Sequence, residues 1–110
     1  MEQTIFTKIV GDSAEMRIID FLLLEGRLFD YPMTEIAKNS HVSWTTFNEI
    51  FPKFIKMGIV KQTRRIGRAR LFKLNEDNEI TKAWITFWKR ISLIATEQCS
   101  ENVKIPVLIK

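Results

Sequence analysis

The chain is poor in the residues that build covalent or metal-held frameworks, with one cysteine and one histidine in 110 residues. A lone cysteine excludes an internal disulfide framework, and one Cys with one His cannot by themselves fill a zinc site. No apolar run exceeds Phe21 to Leu24, far short of the ~18 residues that a membrane span needs. Glycine and proline are scarce as well, and no Gly/Ser/Pro-rich linker, repeat or low-complexity stretch divides the sequence. One domain over residues 1–110 is therefore expected. Gly11, Gly26, Gly58 and Gly67 all sit where turns or helix ends are expected, so none belongs to a phosphate-cradling loop. His41 stands apart from any carboxylate pair or nucleophile, and Cys99 reads as a half-buried structural thiol, with an intermolecular redox pair as the lesser alternative. No catalytic residue, cofactor or metal site is predicted. The start, Met1-Glu2-Gln3-Thr4, lacks the basic and apolar regions of a signal peptide. A soluble cytoplasmic protein without membrane partners is the expectation.

What is present is aromatic and unevenly charged. Eight Phe, three Trp and one Tyr are too many for a disordered chain and imply a packed core. The net charge of +4 conceals a strong asymmetry. Residues 32–75 hold nine Lys or Arg against Glu35 and Glu49, or +7, and the remainder holds eight bases and eleven acids, or −3. A basic centre between mildly acidic flanks is the footprint of a polyanion-binding face. A plain solvated surface is the competing reading.

Periodicity supplies the elements. Ile5, Phe6, Ile9 and Val10 predict a short N-terminal helix. Asp12 or Ser13 can cap a second one over about Ala14–Glu25, with Gly26 as its stop. Thr34 to Ser40 reads as a short helix with Ile36 and Ala37 inward. His41-Val42-Ser43 is a tight connection, and Ser43 caps a helix from Trp44 to about Met57, with Phe47, Ile50, Phe51 and Phe54 as its core face. Pro52 should bend this helix without breaking it. From Ile59 the period changes to two, predicting strands over Ile59–Arg64 and Arg68–Leu74 around Gly67. Phe72 and Leu74 would face the core, and Leu71 would face outward or lie under a flanking helix. A long helix over about Glu79–Gln98 follows, and the apolar tail with Pro106 reads as an edge strand or arm. The fold class is mostly α with a small β-hairpin (α+β).

Thr34-Glu35-Ile36-Ala37, Val42-Ser43-Trp44-Thr45-Thr46-Phe47, Met57-Gly58-Ile59-Val60 and Arg64-Arg65-Ile66-Gly67-Arg68 together resemble the winged helix-turn-helix superfamily. With one long helix before the motif and one after the wing, the layout is similar to small dimeric ArsR-like regulators and to single-domain archaeal-type winged-helix proteins. His41 departs from the glycine usual in the turn, although His tolerates positive φ better than most residues. Paired Cys or clustered His, which ArsR-like metal sensors carry, are missing. The resemblance implies N-terminal helices over residues 1–31, the helix-turn-helix and wing over 32–75, a dimerisation helix over 78–98 and a tail over 99–110.

The implied partner is double-stranded DNA, and the implied role is a sequence-preferring transcriptional regulator associated with the nucleoid. A helix presented N-terminus first fits the major groove. The candidate contacts are Ser43, Trp44, Thr45, Thr46, Asn48, Lys53 and Lys56 on the helix, with Arg64, Arg65, Arg68 and Arg70 on the wing. Asn48 can pair with adenine, Thr45 can touch a thymine methyl, and the lysines suit phosphates. Trp44 either packs on sugar or a thymine methyl, or closes the core against Met33 or Tyr31. Glu49 faces solvent rather than reading cytosine. The wing arginines suit a narrow minor groove, unless they only protect an edge hairpin from aggregation. On the last helix Ile80, Trp84, Phe87, Ile91 and Ile94 form a continuous seam, and Ile85, Trp88 and Ala95 a second face. Two apolar faces predict a homodimer, unless the N-terminal segment and tail cover one of them. A protein-interaction module or a general transcription or chromatin component is the alternative. No feature of the sequence names a small-molecule effector.

Overall fold

The computed structural model describes the backbone of residues 4–101 and the side chains of residues 4–96. The first two helices begin as side-chain caps require. The Thr4 hydroxyl accepts from the Thr7 N–H at 3.2 Å to start α1 (Ile5–Val10), and the Ser13 hydroxyl accepts from Met16 N–H at 3.2 Å to start α2 (Ala14–Leu24). Ile18, Leu22 and Leu23 of α2 are fully buried. Gly26 is not the positive-φ stop expected of it. A Cβ there would meet Leu22 Cδ2 and Leu22 O at 2.9 Å, and its carbonyl accepts the Leu74 N–H at 2.8 Å. The position needs a residue without a side chain because the last turn of α2 at Leu22 lies against it.

The β-structure includes a strand the sequence did not announce. β1 (Tyr31–Pro32) leads straight into α3 (Met33–Asn39), then α4 (Trp44–Lys56), β2 (Val60–Ile66) and β3 (Ala69–Leu74). The sheet order is β1-β3-β2, all antiparallel, with Tyr31 opposite Phe72 and Pro32 opposite Leu71. Two residues are too few to show a period, and a proline is tolerated because β1 is an edge strand. Thr63 is a bulge: the register steps from Gln62↔Phe72 to Arg64↔Leu71. Phe72 and Leu74 are core residues as expected, and Leu71 is buried too, not outward, between Pro32 and Arg64 in the sheet. The chain is thus a mostly helical winged helix-turn-helix with a three-stranded sheet and a long final helix.

α4 runs unbroken through Pro52, which faces solvent while Phe51 and Phe54 stay in phase inside. It ends in a Schellman turn. Gly58, at φ 78, donates its N–H to Ile55 O, and the Ile59 N–H reaches Phe54 O, both at 3.0 Å. Asn78 then joins two helix ends. Its Oδ1 accepts from the Ile80 and Thr81 N–H groups at 2.9 and 3.1 Å, and its Nδ2 donates to Met57 O at 3.0 Å. One amide therefore satisfies orphan donors of α5 (Glu79–Glu101) and an orphan acceptor of α4. A Cβ on Gly58 would lie 2.9 Å from that Nδ2.

On α5 the expected division into seam and second face is corrected. Thr81 is fully buried and Ile91 nearly so, while Trp84, Ile85 and Trp88 pack half-buried on the core of their own chain. Ile80 and Phe87 remain 41% and 42% exposed. At about 100° per residue the two expected faces are adjacent parts of one broad stripe. Its inward axis passes near Thr81 and Trp88, so half of the seam turns in and half turns out. α1 supplies cover: Phe6 meets Trp84 edge-to-face at 5.8 Å and Phe87 at 6.2 Å. Asp20 links three helices, accepting from Thr4 Oγ1 at 2.9 Å and from Trp88 Nε1 at 3.2 Å. The tail after Glu101 and the Cys99 side chain, for which an arm and a structural thiol are expected, lie outside the described residues.

Replacing Asn78 by Ala should cost about 1–2 kcal/mol, the range for a lost helix cap, in urea or thermal unfolding. Asn78→Asp keeps the acceptor toward α5 and loses the donor toward α4, so it should fall between Asn78→Ala and the parent. An Asp variant as stable as the parent would show that the bond to Met57 contributes nothing.

Candidate nucleic-acid interface

The turn between α3 and α4 needs a left-handed residue, and His41 supplies it at φ 58. Such a conformation is uncommon for a residue with a Cβ, and it is held from outside the motif. Arg17 of α2 donates from Nε to Ser40 O and from Nη2 to His41 O, both at 3.1 Å, and from Nη1 to Asp12 O at 3.1 Å. The guanidinium fork thus closes on two successive carbonyls of the turn. Sequence reading missed Arg17, which is just one arginine among many until the fold brings α2 against the turn.

Ser43 then starts α4 as expected, accepting from the Thr46 N–H at 3.2 Å and donating to Thr46 Oγ1 at 3.0 Å. Both side chains serve first as the cap that fixes the helix start. Trp44 follows, 49% exposed, its ring nearly parallel to Phe47 (13°, centroids 5.6 Å apart). The indole rests on the core by one face instead of plugging it. The Asn48 amide donates from Nδ2 to Trp44 O at 2.9 Å, leaving Oδ1 as its available acceptor. Thr45, Glu49 and Lys56 are exposed on the outward side. Lys53 does not point there. It lies 3.7 Å from Glu15 of α2 and over the Phe54 ring, on the flank away from Trp44.

The wing arginines divide by the register of the hairpin. Arg64, next to the Thr63 bulge, pairs with Asp30 through two bonds, Nε to Oδ2 at 2.9 Å and Nη2 to Oδ1 at 3.2 Å. The Arg64 guanidinium, and after it the Thr63 hydroxyl, hold the Asp30 carboxyl below the usual carboxylate range, and Arg64 is raised in return. Arg64 therefore fastens the root of the wing to the segment before β1, and its charge is matched there. Arg65 and Arg68 are exposed around the two-residue turn, where Gly67 has φ 62. Arg70 lies 5.4 Å from the Phe72 ring centre, with Nη2 3.7 Å from Met33 Sδ.

Trp44 and Asn48 from α4, Pro32, Met33 and Thr34 from the start of α3, and Arg68 to Arg70 from the wing line one cleft of about 340 Å³. The start of α4 and the tip of the wing thus share one surface. Among the described residues no group of three His, Cys, Asp or Glu could hold a metal ion, and no helix is long and apolar enough to cross a membrane.

Neither protein-family models nor curated proteins give a match to this sequence. Among solved structures the chain is similar to a cysteine-to-serine mutant of Lactococcus lactis ZitR, with a TM-score of 0.57 and 16% identity. The likeness is one of fold. It covers 80% of this chain and 61% of the ZitR chain, so the present sequence spans about three-fifths of that protein's length. It singles out no branch of the winged-helix proteins.

The Asp30–Arg64 pair has a signature in acid. A carboxyl whose folded pKa is depressed contributes stability above its unfolded pKa and loses it as pH falls through the folded value. Asp30→Asn should remove that contribution, so its unfolding free energy should vary less with pH below about 4 than the parent's. Parallel urea titrations through the acid range check this, and identical slopes would show that the pair adds nothing.

Proposed function

We propose that the protein binds double-stranded DNA with sequence preference and acts as a dimeric transcriptional regulator. The observation that carries this reading is the shared surface of α4 and the wing tip. Arg68 and Arg70 line a cleft with Trp44 and Asn48 at the helix start, Arg65 is exposed on the wing opposite Arg70, and Thr45 and Asn48 can meet base edges. Phosphate contacts supply most of the affinity of such a surface, and a few side chains at the helix start supply preference. Residues 32–75 carry +7 by sequence, and after Arg64 is matched by Asp30 and Lys53 by Glu15 the excess is still positive, which fits a polyanion. A regulator of this kind works at the nucleoid, in the cytoplasm.

Dimerisation rests on a narrower surface than the sequence suggests. Trp84, Ile85, Trp88 and Ile91 are engaged within their own chain, which leaves Ile80, Phe87 and Leu93 of α5 with Ile5 and Ile9 of α1 exposed. Half-buried Ile94 belongs to the same region. Burying such side chains stabilises by about 1.5–3 kcal/mol each, and a two-fold axis lets one patch cover itself. Two recognition helices would then address half-sites about one DNA turn apart.

Binding to duplex DNA should weaken with salt, log K falling by roughly 0.9 per phosphate contacted for each unit of log[salt]. Arg65→Ala with Arg68→Ala should shorten that slope and weaken all sequences alike, whereas Asn48→Ala should relax preference at one position. Fluorescence anisotropy over a salt series measures both, and affinity indifferent to salt would overturn the DNA reading. For the dimer, sedimentation equilibrium should give twice the chain mass, reduced to one chain by Ile80→Glu with Phe87→Glu. A parent protein sedimenting as one chain refutes it.

A further inference from the structure

From the cleft beside the recognition helix we infer a second mode of DNA contact, resting on the DNA-binding reading above: capture of a single unpaired nucleobase against Trp44. A base inside a duplex has both faces covered by its neighbours, so a tryptophan in the major groove meets only base edges and methyl groups. Trp44 is built for more than an edge. The indole is offset-stacked on Phe47 (13°, centroids 5.6 Å apart), and the residue, still 49% exposed, lines the cleft. Phe47 continues the stack to Phe51, 4.6 Å away and 21° from parallel, so the platform is fixed by the core. An aromatic ring held flat at the surface beside cations is what unstacked bases bind.

The rest of the cleft matches the other parts of a nucleotide. Asn48 spends Nδ2 on the Trp44 carbonyl, which leaves Oδ1 to accept from a base edge. Arg68 and Arg70 border the same space, and Arg70 is engaged by a thioether and a ring face, with no carboxylate in its bonds. A guanidinium so placed can take a phosphate oxygen without breaking an ion pair. The volume of about 340 Å³ falls at the small end of ligand sites, the scale of one base. Pro32 and Met33 add apolar lining, with Met33 Sδ against the Arg70 guanidinium. The site therefore takes a base, an edge acceptor and a phosphate together, and the wing beside it supplies the backbone contacts of the flanking duplex.

The experiment compares a fully paired duplex with the same duplex carrying one central unpaired 2-aminopurine, using the intact protein. The parent should bind the second at least about tenfold more tightly, as stacking of one base allows, and should quench the probe's fluorescence. Trp44→Ala should bring the ratio of the two affinities close to one and abolish quenching, whereas Trp44→Phe, which keeps an aromatic face, should retain most of both. Equal affinity of the parent for the two duplexes, or a ratio that survives Trp44→Ala, overturns the capture of a base while leaving duplex binding intact. Absence of salt-dependent binding to either duplex overturns both readings. Adenosine monophosphate competing as well as the unpaired duplex would make the cleft a free-nucleotide site and overturn the DNA proposal.

Discussion

A run of aromatic rings carries α4 and the wing as one body. Phe51 stands at its centre, stacked on Phe47 at 4.6 Å and edge-on to Phe72 of β3 at 5.2 Å, with an interplanar angle of 88°. Trp44 extends the run to the surface at one end, and Arg70 covers Phe72 at the other. Offset and edge-to-face pairs of this kind add about 0.5–1.5 kcal/mol each beyond the area they bury. Their larger effect is geometric. Rings of fixed shape in van der Waals contact leave few ways for α4 to rotate or for the hairpin to tilt, so the cleft between them has a defined width.

The parts of this arrangement that depend on local rules were legible in the sequence. Ser43 caps the helix it was expected to cap, Ser13 is the one of the two candidates that caps α2, Gly58 closes α4, and Phe47, Phe51, Phe54, Phe72 and Leu74 are buried at helical and strand spacings. His41 adopts the left-handed turn that its place in the motif demands. These features are set by residues within a few positions of one another, and pattern is sufficient to find them.

What escaped depends on chain segments far apart in sequence. β1 has no period of its own and exists because β3 offers it an edge. Arg17 reaches carbonyls 23 and 24 residues away, and Arg64 reaches an acid 34 residues away. Charge counting treats Arg64 and Arg65 as equivalent neighbours, yet the bulge at Thr63 and the approach of Asp30 tie one to the wing's root and leave the other in solvent. The α5 stripe failed in a related way: its apolar positions were read correctly, but the direction of the core relative to them is set by α1 and α2. At the candidate site, then, residue types were legible and their division between structural and open roles was not.

Asn78 has a mechanical consequence. The Asn78 amide is bonded to both sides of the gap between the end of α4 and the beginning of α5, next to the Thr81 hydroxyl's bond to Ile59 O. Its bonds to Met57 O on one side and to the Ile80 and Thr81 N–H groups on the other tie the two helix ends together. A displacement of α5 along its axis would therefore strain the bond to the trailing end of α4. A change on the long helix would thereby bear on the end of α4 directly, through side-chain bonds.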